Sequence, residues 1–301
     1  MQSDTPHLLS GFRTYLRLEK SLSDNSVKAY IEDAKKLTDY LESNNINPVD
    51  AELQDLQNFL ISLHDLSISP RSQSRILSGI RSFFHYLELE KYITKDPTEL
   101  LESPKIGLKL PEFLSLDEID RIIGSIDLSH PQGQRNKAIL ETLYSCGLRV
   151  SELIGLKFSD LYLDEGFIKV DGKGGKQRLV PISSTAIKEI NLYLLDRNLI
   201  PVKKEFEDVL FLSRRGSALS RIMIFHMIKE QAEIAGISKN ISPHTFRHSF
   251  ATHLLEGGAN LRAIQQMLGH EKITTTEIYT HLDRQFLRSE IQEHHPRNKK
   301  N

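Results

Sequence analysis

Apolar residues recur at helical spacing through residues 1–94. Leu8, Phe12, Tyr15 and Leu16 form one run; Val27, Tyr30, Ile31, Ala34, Leu37 and Leu41 form a second, opening near Ser23. Leu53, Leu56, Phe59, Leu60 and Leu63 make a third, and Ile76, Ile80, Phe83, Phe84 and Leu87 a fourth, after Ser69-Pro70. Spacings of three and four put these residues on one face of each helix, with no strand pattern between them. The prediction is a four-helix domain over 1–94. Pro97, Pro104, Gly107, Lys109 and Pro111 then fall in a stretch without periodicity, which marks a linker over 95–110. Ser115 and Glu118 have the spacing of a capping box, so a second, larger domain over 111–301 opens on a helix.

That domain reads as mainly helical. A helix from about Gln134 carries Ile139, Leu140 and Leu143 and stops near Gly147. Residues 159–181 hold the one convincing β pattern: Phe167, Ile168 and Val170, a glycine-rich turn from Asp171 to Lys176, then Leu179 and Val180. Two short strands are expected there. Helices resume over 183–198 and 219–235, with a short extended piece at 209–212. Ser242-Pro243 opens another helix, Gly257-Gly258 ends it, Asn260 caps the next and Gly269 stops that one. The tail from Leu282 to Asn301 has Phe286, Leu287 and Ile291 at helical spacing. So short a helix must bury its apolar side, and docking on a second copy is favoured over folding back. The fold class is mainly α with a small β-sheet.

Composition bounds the function. The chain has 301 residues, 39% hydrophobic and 26% charged, ordinary for a globular protein of two domains. No apolar run approaches membrane-spanning length and the N-terminus lacks a signal pattern, so a cytoplasmic protein without membrane insertion is expected. The single cysteine, Cys146, has no internal disulfide partner and reads as a small buried hydrophobe. The net charge of −1 gives no basic footprint of a nucleic-acid binder. The distribution softens that. Arg71, Arg75 and Arg81 share the polar side of the fourth helix, Lys169, Lys173, Lys176 and Arg178 cluster on the β stretch, and acidic residues collect over 50–55 and 88–102. Such a stripe is usually a plain solvated face; the alternative reading makes Arg71, Arg75, Arg81, Lys176 and Arg178 candidate DNA-backbone contacts.

The chemistry concentrates in residues 242–281. A helical hairpin with satisfied histidines is the plain reading. A metal site would use His244 and His248, four apart, but Thr245 stands where a zinc hydrolase needs its glutamate. A phosphate site would use His244 and Arg247 at a helix N-terminus, with His270 after a helix end and the Tyr279 hydroxyl beyond. The Gly-Lys-Gly-Gly turn is no P-loop, because no GxxxxGK[ST] occurs and no helix follows it directly.

The stretch HTFRHSFATHLLEGGANLRAIQQMLGH, followed by IYTH, resembles the C-terminal signature of the tyrosine recombinases, and most of all their Xer branch. The family's H-x-x-R box falls on His244 and Arg247, its L-G-H on Leu268, Gly269 and His270, and its nucleophile on Tyr279. GLRVSEL matches the box that carries the first active-site arginine, Arg149, with Glu152 as the carboxylate holding the region in place. Lys173 matches the family's β-hairpin lysine, with Lys176 as the nearby alternative.

The resemblance implies an N-terminal SAM-like DNA-binding domain, a catalytic domain, and cleavage and rejoining of duplex DNA through a 3′-phosphotyrosyl link. Neither metal, ATP nor any other cofactor is required. Arg149 and Arg247 would neutralise the scissile phosphate, His244 and His270 would assist, and Lys173 would protonate the leaving oxygen. The implied partners are duplex DNA with a specific site, a paralogous recombinase or further copies in a cyclic tetramer, and a DNA translocase. The implied setting is chromosome-dimer resolution at cell division, and the ending HHPR leans towards one paralogue type of the branch. A phage or transposon integrase is the alternative with the same chemistry, less favoured because no arm-binding extension precedes the first domain. A non-catalytic helix-turn-helix-like DNA-binding protein is the alternative without the chemistry.

Overall fold

The structure, a computed structural model, describes residues 5–104, 107, 112–172, 175–269 and 281–298, with backbone only for 281–284. The chain divides into two compact units, Met1–Lys109 and Leu110–Asn301.

The first unit contains α1 (Thr5–Leu18), α2 (Asp24–Ser43), α3 (Leu53–Asp65) and α4 (Pro70–Leu89). Their starts are set locally: the Ser23 and Ser69 hydroxyls cap α2 and α4, and Pro70 occupies the first turn of α4, where its missing N–H costs nothing. The stripes read from the sequence meet in one core around Phe12, Leu37, Phe83 and Phe84, all fully buried. Phe12 and Phe83 pack edge to face at 5.2 Å. Helices α2 and α4 approach closely because Gly79 has no side chain; a Cβ there would lie 2.8 Å from the Asp33 side chain.

Asp33 is wholly buried, and its two oxygens accept from Arg75 at 2.6 and 2.7 Å. Burial raises the Asp33 carboxyl against the opposing pull of Arg75. Arg81 donates to Leu101 O and to Ser103 Oγ and so holds the segment after α4. Arg75 and Arg81 are thus engaged within the unit, although the Arg75 side chain remains 49% exposed. Of the three, only Arg71 is exposed without a bonded partner among the described residues.

The second unit contains α5 (Leu116–Gly124), α6 (Gly133–Cys146), α7 (Val150–Ile154), β1 (Leu161–Tyr162), β2 (Phe167–Asp171), β3 (Gln177–Pro181), α8 (Ser184–Arg197), α9 (Arg221–Ile234), α10 (Pro243–Glu256), α11 (Leu261–Leu268) and α12 (His281–His294). The Ser115/Glu118 capping box opens α5. α6 is buried nearly all round, which fits its weak amphipathic pattern, and packs against α8 and α10. The sheet is antiparallel in the order β1-β2-β3, with Ile168 opposite Val180 on the inward face. Two strands were expected; β1 is a third, only two residues long and too short for alternation to reveal. Among the described residues, the 209–212 piece pairs at isolated bridges, Lys157 with Val209 and Leu212 with Ala218.

The single chain shows where the tail lies when no second copy is present. In the single chain α12 lies on β3, α10 and α11 of its own unit, with Leu287 and Ile291 each 1% exposed and Phe286 at the surface. Polar contacts at and beyond its C-terminal end lock it there. Arg297 bonds Glu141 at 3.0 Å and also Asp120, Asn298 accepts from the Ser184 N–H, and His294 meets Gly257 O at 2.8 Å. His295 is fully buried beside Tyr144 and Phe250.

Candidate active site

Two helices end side by side on left-handed glycines. Gly147, at φ 57°, ends α6, and Gly269, at φ 66°, ends α11. Such ends leave backbone carbonyls without intrahelical donors and carry partial negative charge, which suits cations. Three arginines meet that demand on three successive carbonyls at the end of α11. Arg178 Nε donates to Met267 O at 2.8 Å, Arg247 to Leu268 O at 2.6 Å, and Arg149 to Gly269 O at 3.2 Å. The other arm of Arg247 donates to Gly147 O at 2.7 Å, so one guanidinium bridges both helix ends.

Glu152 organises the cluster from α7. Its side chain is 3% exposed and accepts four N–H donors, a carboxylate's full complement. These are Arg149 N and Arg149 Nη1, each at 2.8 Å, and Arg178 Nη1 and Nη2 at 2.8 and 2.9 Å. Arg247 stands 4.0 Å away. Burial would raise this carboxyl, but Arg178 first and Arg149 next outweigh it and hold it below the ordinary carboxylate range. Burial also pushes Arg247 down to about 10, helped by its cationic neighbours Arg149 and Arg178 and opposed by Glu152; it stays charged at neutral pH. One carboxylate thus faces three guanidinium groups, and the pocket keeps a positive excess.

Arg149 and Arg247 come together as the sequence reading expects. Arg247 is the fifth residue of α10 rather than in its first turn, and it points into the unit. His244 is exposed on that first turn. Lys176 is exposed on the hairpin before β3, which fits a surface contact. Arg178 does not fit its expectation as a DNA contact: it is 6% exposed and all three guanidinium nitrogens are engaged within the protein. A period-two signal was available, because Arg178 and Val180 share one face of β3 and Val180 is core. Lys169, grouped with the hairpin cations, pairs with Asp160 at 3.0 Å. Lys173, His270 and Tyr279 lie outside the described residues. His270 directly follows Gly269 in sequence, and Tyr279 lies between α11 and α12. No helix of the described residues is long and apolar enough to cross a membrane.

Residues 112–285 match the Phage integrase family, and residues 9–91 match the N-terminal SAM-like domain of phage integrases. The chain is 42% identical over 292 residues to the tyrosine recombinase XerD of Chlorobaculum tepidum, covering 96% of each chain. It is 43% identical over 291 residues to XerD of Staphylococcus saprophyticus, covering 96% of this chain and 99% of that one. Among solved structures it resembles the XerH site-specific recombinase bound to its difH substrate in a pre-cleavage complex. The TM-score is 0.72 at 25% identity, covering 93% of this chain and 95% of that one.

Proposed function

The chain belongs to the phage integrase family, on its XerD-like tyrosine-recombinase branch, and from that premise we propose how its residues divide the work of cutting and rejoining DNA. It is a site-specific recombinase acting through a phosphotyrosyl intermediate on Tyr279. The observation that carries this reading is the meeting of Arg149 and Arg247 at the end of α11, immediately before the segment that bears His270 and Tyr279. Attack on a phosphodiester builds negative charge on the non-bridging oxygens. Two fixed guanidinium groups in a partly buried pocket stabilise that charge by charge-assisted hydrogen bonds. Tyr279 displaces the 5′ oxygen, His244 and His270 assist the proton transfer and hold the phosphate, and Lys173 returns a proton to the leaving group. The phosphotyrosyl link conserves the bond energy, so rejoining requires no ATP. Residues 1–94 serve as the core-DNA-binding domain, 95–110 as the linker and 111–301 as the catalytic domain. Arg71 and Lys176 contact the DNA backbone. Recombinases of this branch pair a paralogue or further copies on DNA, in the cytoplasm, to resolve chromosome dimers with help from a DNA translocase, and the same setting is proposed here.

The test mixes the protein with nicked duplex carrying its recombination site and looks for an SDS-stable adduct. The wild type should form it and Tyr279→Phe should not, with half-site binding retained. Binding without adduct in the wild type would instead favour a non-catalytic DNA-binding protein. On a substrate with a sulfur 5′ leaving atom, which departs without a proton, Lys173→Ala should lose most of its defect. An equal defect on both substrates would remove Lys173 from the role of acid.

A further inference from the structure

We propose that Arg178 is a positioning residue for strand cleavage: it occupies both oxygens of Glu152, so that Arg149 is aimed by that carboxylate without being neutralised by it. The proposal rests on the recombinase reading above. Arg178 cannot reach DNA, because its side chain is 6% exposed and each of its three nitrogens has a partner inside the unit. Its contacts tie together β3, which carries it, α7, which carries Glu152, and the end of α11 at Met267. The fit at the last of these is close: a Cβ on Gly269 would lie 3.2 Å from the Arg178 side chain.

The charges explain why a buried arginine is placed there. Glu152 gives Arg178 a two-point pair, whereas Arg149 Nη1 touches only one of its oxygens, at 2.8 Å. An arginine has five N–H donors, and among the described residues Arg149 uses Nη1 on Glu152 and Nη2 on Gly269 O. Its side chain is 35% exposed, so it is not sealed inside the protein as Arg178 is. Without Arg178, the negative charge of Glu152 would face Arg149 at contact distance in a poorly solvated place, and the planar fork of Arg149 would turn to pair with both oxygens. The phosphate would then meet an arginine already neutralised and misdirected. Arg178 also fixes β3 against the same carboxylate.

Single-turnover cleavage of nicked site DNA tests this with Arg178→Met, which removes the charge at similar length. Cleavage should slow on the order of 100-fold while half-site affinity stays within about threefold. The decisive readout is a scissile methylphosphonate, which lacks one of the two charged oxygens and so depends less on a second cation. There the Arg178→Met defect should shrink to less than about tenfold. Glu152→Gln combined with Arg178→Met should cleave no more slowly than Glu152→Gln alone, since the two changes remove one device. An equal defect on both substrates, with binding lost in parallel, would reduce Arg178 to a structural residue and overturn the proposal. Additive losses in the double variant would overturn it as well. If Arg178→Met does not fold, Arg178→Gln, which also removes the charge but keeps a hydrogen-bonding side chain, applies the same criteria. A wild-type protein that forms no adduct would defeat the recombinase reading itself, a result separable from any ratio between variants.

Discussion

At the scale of single residues, arginines of one type have different fates, and burial of the partner decides between them. Arg71 is exposed and unbonded among the described residues, whereas Arg75 serves a carboxylate with no exposure of its own. Arg71→Ala should weaken DNA binding evenly across sequences and lower the slope of log affinity against log salt by about one, with thermal stability unchanged. Arg75→Ala should instead cost about 3 kcal/mol in denaturant unfolding, because it leaves Asp33 buried and unpaired. A salt slope that changes with Arg75 and not with Arg71 would reverse the assignment. The arginines proposed for catalysis, Arg149 and Arg247, divide in the same way. Arg149→Ala should reduce the adduct rate by about 10²–10³-fold with little loss of stability, since its side chain is partly exposed. Arg247→Ala should lose both, because Gly147 O and Leu268 O are left without donors at about 1–3 kcal/mol each. Melting curves beside cleavage rates distinguish the two outcomes.

At the scale of elements, the tail shows how a short helix is held. α12 buries Leu287 and Ile291 on its own unit, and the residues after it form a polar lock. His295 sits at the centre of that lock. Its Nε2 faces Tyr144 O at 3.3 Å, which can only accept, and its Nδ1 accepts the Arg297 N–H at 3.2 Å. Both contacts require the neutral ring protonated on Nε2. Burial accordingly pushes its pKa from 6.5 down to about 3. Between those values an unfolded chain takes up a proton that the folded one refuses. The stability from His295 is therefore complete above the ordinary pKa and is lost as pH falls below it, at about 1.4 kcal/mol per unit. His295→Phe keeps a ring against Tyr144 and Phe250 while removing the titration. Urea unfolding at pH 7, 6 and 5 should show a flatter decline for the variant than for the wild type. Parallel declines would show that His295 is not kept neutral.

At the scale of the whole molecule, each of the two units has a separate core, and every residue proposed for the chemistry lies in the second. A fragment of residues 112–301 should fold alone and form the phosphotyrosyl adduct on nicked site DNA. Its half-site affinity should fall and its salt dependence become shallower, because the phosphate contacts proposed for the helical unit would be gone. Full-length affinity in the fragment would remove residues 1–94 from DNA binding.

The sequence by itself determined the elements. Helices α1 to α4, the Ser115/Glu118 capping box, the glycine stops at Gly147 and Gly269 and the β-hairpin all come from periodicity and local chemistry acting within a few residues. It also marked Arg149 and Arg247, through boxes about a hundred positions apart. Tertiary structure alone decided what each cation does, because an arginine's role depends on which carbonyl or carboxylate faces it. Met267 O lies 89 positions from Arg178 and Asp33 lies 42 from Arg75, separations over which no local pattern extends. It likewise set where α12 lies in the single chain. An apolar stripe states that a surface must be buried, while only the shape of the unit beside it, here β3, α10 and α11, decides against what.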